Sequence, residues 1–277
     1  MARLNKNGTL SGLMGDLVMR AYNNTTYAYA RQEKVRNPQT RGQMMQRVKM
    51  KNIVNVYGAL KPALKDNFQG KVGKQSDYTM FVSCNLSQQP VYLTNKEASA
   101  DYYSVVAPYI VAFGKLSPIE YSIEDGWLVS NIIVGDIDLN NDMKVYELAS
   151  VIFSNNAEWK EGDTLEFIVC KQNFLADASG ELINVRAECE YANIVLDIAD
   201  KSKLGRYLDD MELKADANGC LCLHASSYGG YAIVQKRKTA KDVATGVQSL
   251  AVVNPLLERY TSEEQCEKAI QSYEKKH

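Results

Sequence analysis

Thr164-Leu165-Glu166-Phe167-Ile168-Val169-Cys170 is the stretch on which the fold class turns. A short run rich in β-branched and aromatic residues, entered through the turn signal Glu161-Gly162-Asp163, reads as a strand. The same texture recurs on either side of it. Further strands are expected at Val91 to Thr94, Val105 to Phe113, Glu120 to Ile123, Leu128 to Val134, Val185 to Leu196, Cys220 to Ser226, Gly230 to Lys236 and Ser249 to Val253. Asp125-Gly126, Ser179-Gly180 and Asn218-Gly219 supply turns between them. Strands at this spacing favour a sandwich or open barrel over a parallel sheet. Helices are expected over Asn141 to Phe153 and Thr261 to Tyr273, the latter with Ser262 and Gln265 at capping-box spacing.

The front of the chain has a different character. Gly8, Gly12 and Gly15 break any helix before residue 16. Leu17 to Tyr22 and Thr26 to Arg31 read as two strands joined by Asn23-Asn24, which tolerates left-handed turn geometry. No third strand is expected beside them, and a lone hairpin is marginal in water, so it should pack on something else, another chain included. Asn37 reads as an N-cap and Pro38 as the first helical residue. A helix follows, with Met44, Met45, Val48, Ile53, Val54, Tyr57 and Leu60 on its apolar side. Gly58 and Pro62 should end or kink it, with a short second helix through Leu64, and Gln69 to Lys74 reads as a linker.

Charge follows the same division. Residues 1–74 hold fourteen Lys and Arg against Asp16, Glu33 and Asp66, so 14 − 3 = +11, and the remainder holds 18 − 30 = −12. Two domains are expected: a basic N-terminal arm over 1–74 and an acidic, mostly β body over 75–277. The class is α+β, mostly β: a hairpin-plus-helix arm, then a β-sandwich-like or open-barrel body with one or two helices. Such a polarity points to a polyanionic partner for the front or to a front that docks on another copy.

The opening residues lack a secretory pattern, and the longest apolar runs are too short to span a bilayer. No membrane association is expected. Cys84, Cys170, Cys189, Cys220, Cys222 and Cys266 include no C-x-x-C pair and read as free thiols in a reducing interior, cytoplasmic or, if phage-encoded, within a virion.

Catalytic patterns are weak. Asp136, Asp138, Asn140, Asp142 and Glu147 have calcium-loop spacing, but a strand exit followed by an N-capped helix at Asn140 or Asn141 explains them better. Cys220, Cys222 and His224 alternate on a strand yet lack a fourth ligand, and read as core. A triad would have to use His224, since the other histidine is His277. Glu188 and Glu190 read as a solvated strand face. No metal, cofactor or catalytic residue is expected, and the chain reads as no enzyme. Arg20, Tyr22, Tyr27, Tyr29, Arg31, Arg36, Arg41, Arg47 and Lys49 are the expected contact set, for protein assembly or for nucleic acid.

Gly12-x-x-Gly15-x-x-Val18-x-Arg20 and Asn37-Pro38-x-Thr40-x-x-Gln43-x-x-x-Arg47 resemble the opening of an uncharacterised protein family of Bacteroidota and their mobile elements. Gly162-Asp163-Thr164 and Ala269-x-x-Ser272-Tyr273 are similar too, and related openings occur among hypothetical phage structural proteins. The resemblance implies no catalytic residue and suggests a structural role. The reading is therefore a non-enzymatic assembly protein, a homo-oligomer or part of a larger protein assembly such as a virion. A nucleic-acid-associated protein is the alternative.

Overall fold

A computed structural model describes residues 2–32, 40–100, 103–208 and 210–273. The chain divides into two compact units, residues 1–40 and 41–277.

The smaller unit is a four-stranded antiparallel sheet in sequence order: β1 (Arg3–Leu4), β2 (Leu10–Met14), β3 (Leu17–Tyr22) and β4 (Thr25–Ala30). The expected hairpin is present. Asn23 and Asn24 take φ of 45° and 58°, and both central residues of its turn need a positive φ. The expectation of no third strand is corrected. Leu13 pairs with Val18 and Met14 with Leu17, across a second tight turn at Gly15-Asp16. Gly12, at φ 114°, marks where β2 passes from pairing β1 to pairing β3. Read alone, Leu10-Ser11-Gly12-Leu13-Met14 lacks strand texture. Its neighbour supplies the structure.

The larger unit begins with α1 (Arg41–Leu60), α2 (Asp77–Asn85) and α3 (Asn95–Ser99), then β5 (Ile110–Ala112), β6 (Tyr121–Glu124), β7 (Trp127–Ile133) and α4 (Val145–Asn155). The long pair β8 (Thr164–Ala176) and β9 (Leu182–Val195) follows, then α5 (Gly205–Leu208), β10 (Leu213–Ala215), β11 (Cys220–His224) and β12 (Gly229–Lys238). The chain closes through β13 (Val243–Thr245), β14 (Gln248–Ser249), β15 (Ala251–Val253), α6 (Leu257–Thr261) and α7 (Glu263–Ser272).

One sheet runs β13-β12-β8-β9, with β15 also on β12, and a second runs β10-β11-β7-β6. β8 is the middle of the core because both its faces are apolar. Leu165, Phe167 and Val169 join one cluster with Leu128, Ile132, Leu148 and Ile152 of β7 and α4. Ile168 and Cys170 join another with Ile53, Val56, Leu60 and Phe81 of α1 and α2. A strand covered on both sides needs a continuous apolar run, and Phe167-Ile168-Val169-Cys170 is one. The body is thus mostly β and sandwich-like, with a helical layer on one side, and among the described residues no sheet closes into a barrel.

Several expectations change. Six helices, α2 to α7, lie within 75–277 among the described residues, against one or two expected in that body. Val91 to Thr94 is extended but joins no ladder. It leads into α3, where Thr94 N–H donates to Glu97 Oε2 at 2.8 Å in a capping box. Only Ile110–Ala112 of the Val105 to Phe113 run is a strand, because Asn52 on α1 takes up the backbone of Val105 on both its N–H and C=O (2.8 and 2.9 Å). α1 runs through Gly58, and no second helix forms near Leu64. The Asn37 and Pro38 caps lie outside the described residues. The boundary falls after Thr40 rather than after Lys74, since Met44, Val48, Ile53, Val56 and Leu60 of α1 are core to the larger unit. Gln69, in the expected linker, donates its N–H to Phe113 O at 2.8 Å within that same unit. Among the described residues, no helix is long and apolar enough to cross a membrane.

Candidate assembly surface

Register assigns the side chains of the small sheet to faces, because residues alternate along each strand and cross-strand partners share a side. Arg20 lies opposite Tyr27, Val18 opposite Tyr29, and Tyr22 opposite Thr25. With Leu13, they form a mixed aromatic and cationic face. Arg31 follows β4 and donates its N–H to Asp16 O at 2.6 Å. The opposite face carries Met14, Leu17, Met19, Ala21, Ala28 and Ala30, with no charge on it.

Neither face is covered from within the unit. Met14 is 51% exposed, Tyr29 55% and Tyr22 64%. Thr9 is the sole buried side chain among the unit's described residues. Polar bonds hold the sheet together instead. Asn5 Nδ2 donates to Thr9 Oγ1 (2.9 Å), Thr9 Oγ1 to Asn7 Oδ1 (2.7 Å), and Leu10 N–H to Thr26 Oγ1 (2.9 Å).

The expected contact set is divided by this geometry. Arg20, Tyr22, Tyr27 and Tyr29 come together on one face. Arg36 lies outside the described residues. Arg41, Arg47 and Lys49 sit on α1 in the other unit and are engaged there. Arg41 forks onto the Glu267 carboxylate, Arg47 Nη1 rests 4.0 Å from Met44 Sδ, and Lys49 Nζ lies 6.0 Å from the centre of the Tyr92 ring. Charge divides likewise: residues 1–40 carry 6 − 2 = +4 and residues 41–74 carry 8 − 1 = +7. Most of the positive run therefore belongs to the larger unit. The uncharged face was missed because its residues are spread over three strands, one of them without a sequence signal.

The other candidate chemistries are occupied by local structure. Glu147 Oε2 accepts from Lys144 N–H at 2.9 Å, and that bond leads the causes holding its carboxyl below the usual range. Asp142 pairs with Lys203 at 2.6 Å, which lowers it in the same way. His224 Nδ1 lies 3.4 Å from Glu212 and its ring 4.8 Å from that of Trp127. Glu190 accepts from Lys171 at 2.5 Å.

Deeper in the body, Glu166 is fully buried between Lys236 Nζ (2.8 Å) and Asn67 Nδ2 (2.9 Å). Burial raises its carboxyl and Lys236 opposes the rise. Asp163 receives both the Arg237 fork and Gln235 Nε2 (2.7 Å). These buried polar groups tie strands to loops. No family model, curated protein or solved structure matches the chain.

Proposed function

We propose that the protein is a non-enzymatic assembly component that self-associates through its N-terminal sheet. The observation carrying this reading is the uncharged face on which Met14, Leu17, Ala28 and Ala30 are exposed and Met19 and Ala21 half-buried, in a unit with no apolar core among its described residues. A sheet of this kind gains its stability from whatever covers it. The front motif's resemblance to phage structural openings suggests a virion or similar particle as the setting.

Nucleic acid is the second reading, favoured by Arg20 opposite Tyr27 with Tyr22 and Tyr29 beside them. It leaves the uncharged face without a partner, which is why protein association ranks first.

The test compares the full chain with one lacking residues 2–31, by sedimentation at low salt and at about half-molar salt, where surface charge pairs are largely screened. The three apolar clusters of the larger unit draw on no described residue before Met44, so the truncated chain keeps its core. The full chain should associate at both salts and the truncated one remain monomeric. Equal association by both chains would end this reading. Tight binding to a single-stranded oligonucleotide that falls linearly in log salt would instead favour the second.

A further inference from the structure

We propose that the outer edge of β9, from Cys189 to Val195, accepts the outer edge of β4 from a second copy, joining the two sheets across the contact. This rests on the reading of the N-terminal sheet as the self-association element, and it names the acceptor.

The parity of β9 exposes the edge. Leu196 N–H donates to Asp163 O at 2.8 Å, so even-numbered residues of this strand bond toward β8 and odd-numbered ones point outward. At the near end the outward groups are already taken. Ser104 N–H donates to Val185 O at 2.9 Å, and Ser104 Oγ accepts from Ala187 N–H at 2.8 Å. Beyond that point, among the described residues, no hydrogen bond reaches the outward N–H and C=O groups of Cys189, Tyr191, Asn193 and Val195. Edge strands are commonly blunted by lysine, proline or a bulge, and this stretch has none of them. A depression of about 620 Å³ lies beside it, lined by Cys189, Glu190, Tyr191, Leu208, Asp210 and Met211.

β4 is the matching donor. Its hairpin partner Tyr22 faces Thr25 across a two-residue turn, so Thr25, Tyr27 and Tyr29 bond to β3 and Thr26, Ala28 and Ala30 point outward. Among the described residues, no backbone hydrogen bond reaches those three. β4 has six residues, close to the Cys189 to Val195 stretch, whereas β1 at the sheet's other edge has two. Charge agrees: Arg31 follows the donor strand and Arg20 lies one strand behind it, while Glu188 and Asp210, with no ion pair among the described residues, flank the acceptor. Backbone bonding supplies the attraction, as in other strand additions.

Proline placed at an outward position removes an edge N–H without touching the ladder behind it. Full-length Asn193→Pro and Ala28→Pro should each weaken self-association about tenfold, and the double variant no further, since both act on one contact. If deletion of residues 2–31 abolishes association while Asn193→Pro leaves it unchanged, the β9 acceptor is wrong and the assembly reading stands. If the deletion changes nothing, both fall.

A second measurement avoids any folding loss in the proline variants. Chains carrying Thr26→Cys, Ala28→Cys or Ala30→Cys are mixed with tagged Asn193→Cys chains and oxidised. A disulfide-linked heterodimer is expected for at least one pairing. Linkage only between two Asn193→Cys chains, or none at all, would overturn the proposal.

Discussion

The two units of this chain hold themselves together by different means. In the larger one, Phe81 is fully buried with the rings of Tyr57, Phe68 and Tyr109 at 5.6, 6.4 and 5.7 Å. In the smaller one, Leu17, Met14 and three tyrosines stand exposed on a sheet stitched by asparagine, threonine and backbone bonds. Hydrogen bonds exchanged with water contribute about 1 kcal/mol net each, while burying a large apolar side chain contributes about 1.5–3 kcal/mol. The larger unit is therefore folded by its own core, whereas the smaller one rests on polar and backbone bonds, with no apolar core among its described residues. That difference teaches where to look for association.

The largest test of this contrast is Phe81→Ala, expected to cost about 3–5 kcal/mol in urea unfolding. Both tryptophans, Trp127 and Trp159, lie in the larger unit, so their fluorescence follows that unit alone. A cost below about 1 kcal/mol would mean the aromatic cluster is not its keystone.

Glu166→Ala should come close behind, at about 3–5 kcal/mol, because it strands the Lys236 ammonium beside the single Lys65 carbonyl. Glu166→Gln, which keeps a polar acceptor for Asn67, should cost less. Equal losses would argue that shape rather than charge matters there.

Alkaline pH should act on the larger unit next. Burial raises the phenols of Tyr109, Tyr121 and Tyr260, and it pushes the Cys189 thiol up to about 12, with Glu166 and Glu190 adding to it. Groups raised on folding contribute stability that is complete below their unfolded values and is lost as pH rises through the folded ones. Stability should therefore decline from about pH 9 upward. A flat profile to pH 11, above the ordinary phenol value of about 10, would contradict this.

A smaller loss, about 1 kcal/mol, is expected for Ser262→Ala, whose hydroxyl accepts from Gln265 N–H at 3.1 Å at the start of α7. Leu17→Ala should change the thermal unfolding of dilute protein by less than about 0.5 kcal/mol. The same substitution should weaken association measurably. A stability loss matching that of Phe81→Ala would show that the small sheet has a core after all.

Much of the fold was legible because its signals are local. The Asn23-Asn24 turn, the Phe167 to Cys170 run and the Ser262 cap each depend on residues within a few positions of one another. α2 was missed because Asp77-Tyr78-Thr79-Met80-Phe81 has weak helical texture, and it is held by Phe81 burying between α1 and the Ile110 segment. Of the contact set, the tyrosines and Arg20 come from a readable hairpin. Arg41, Arg47 and Lys49 were grouped with them because charge counts along the sequence ignore which core a helix enters.

By itself the sequence determined the strand texture of the body, the turn positions and the basic character of the front, all set by side-chain type over short windows. Tertiary structure alone decided that α1 belongs to the larger unit, since Met44 and Val48 find Cys266, Ala269 and Ile270 more than two hundred residues away. It also decided that β2 completes a sheet and that β9 presents an open edge. Partner choice in a sheet depends on which backbone groups remain unpaired once the chain has folded, and no short window of sequence records that.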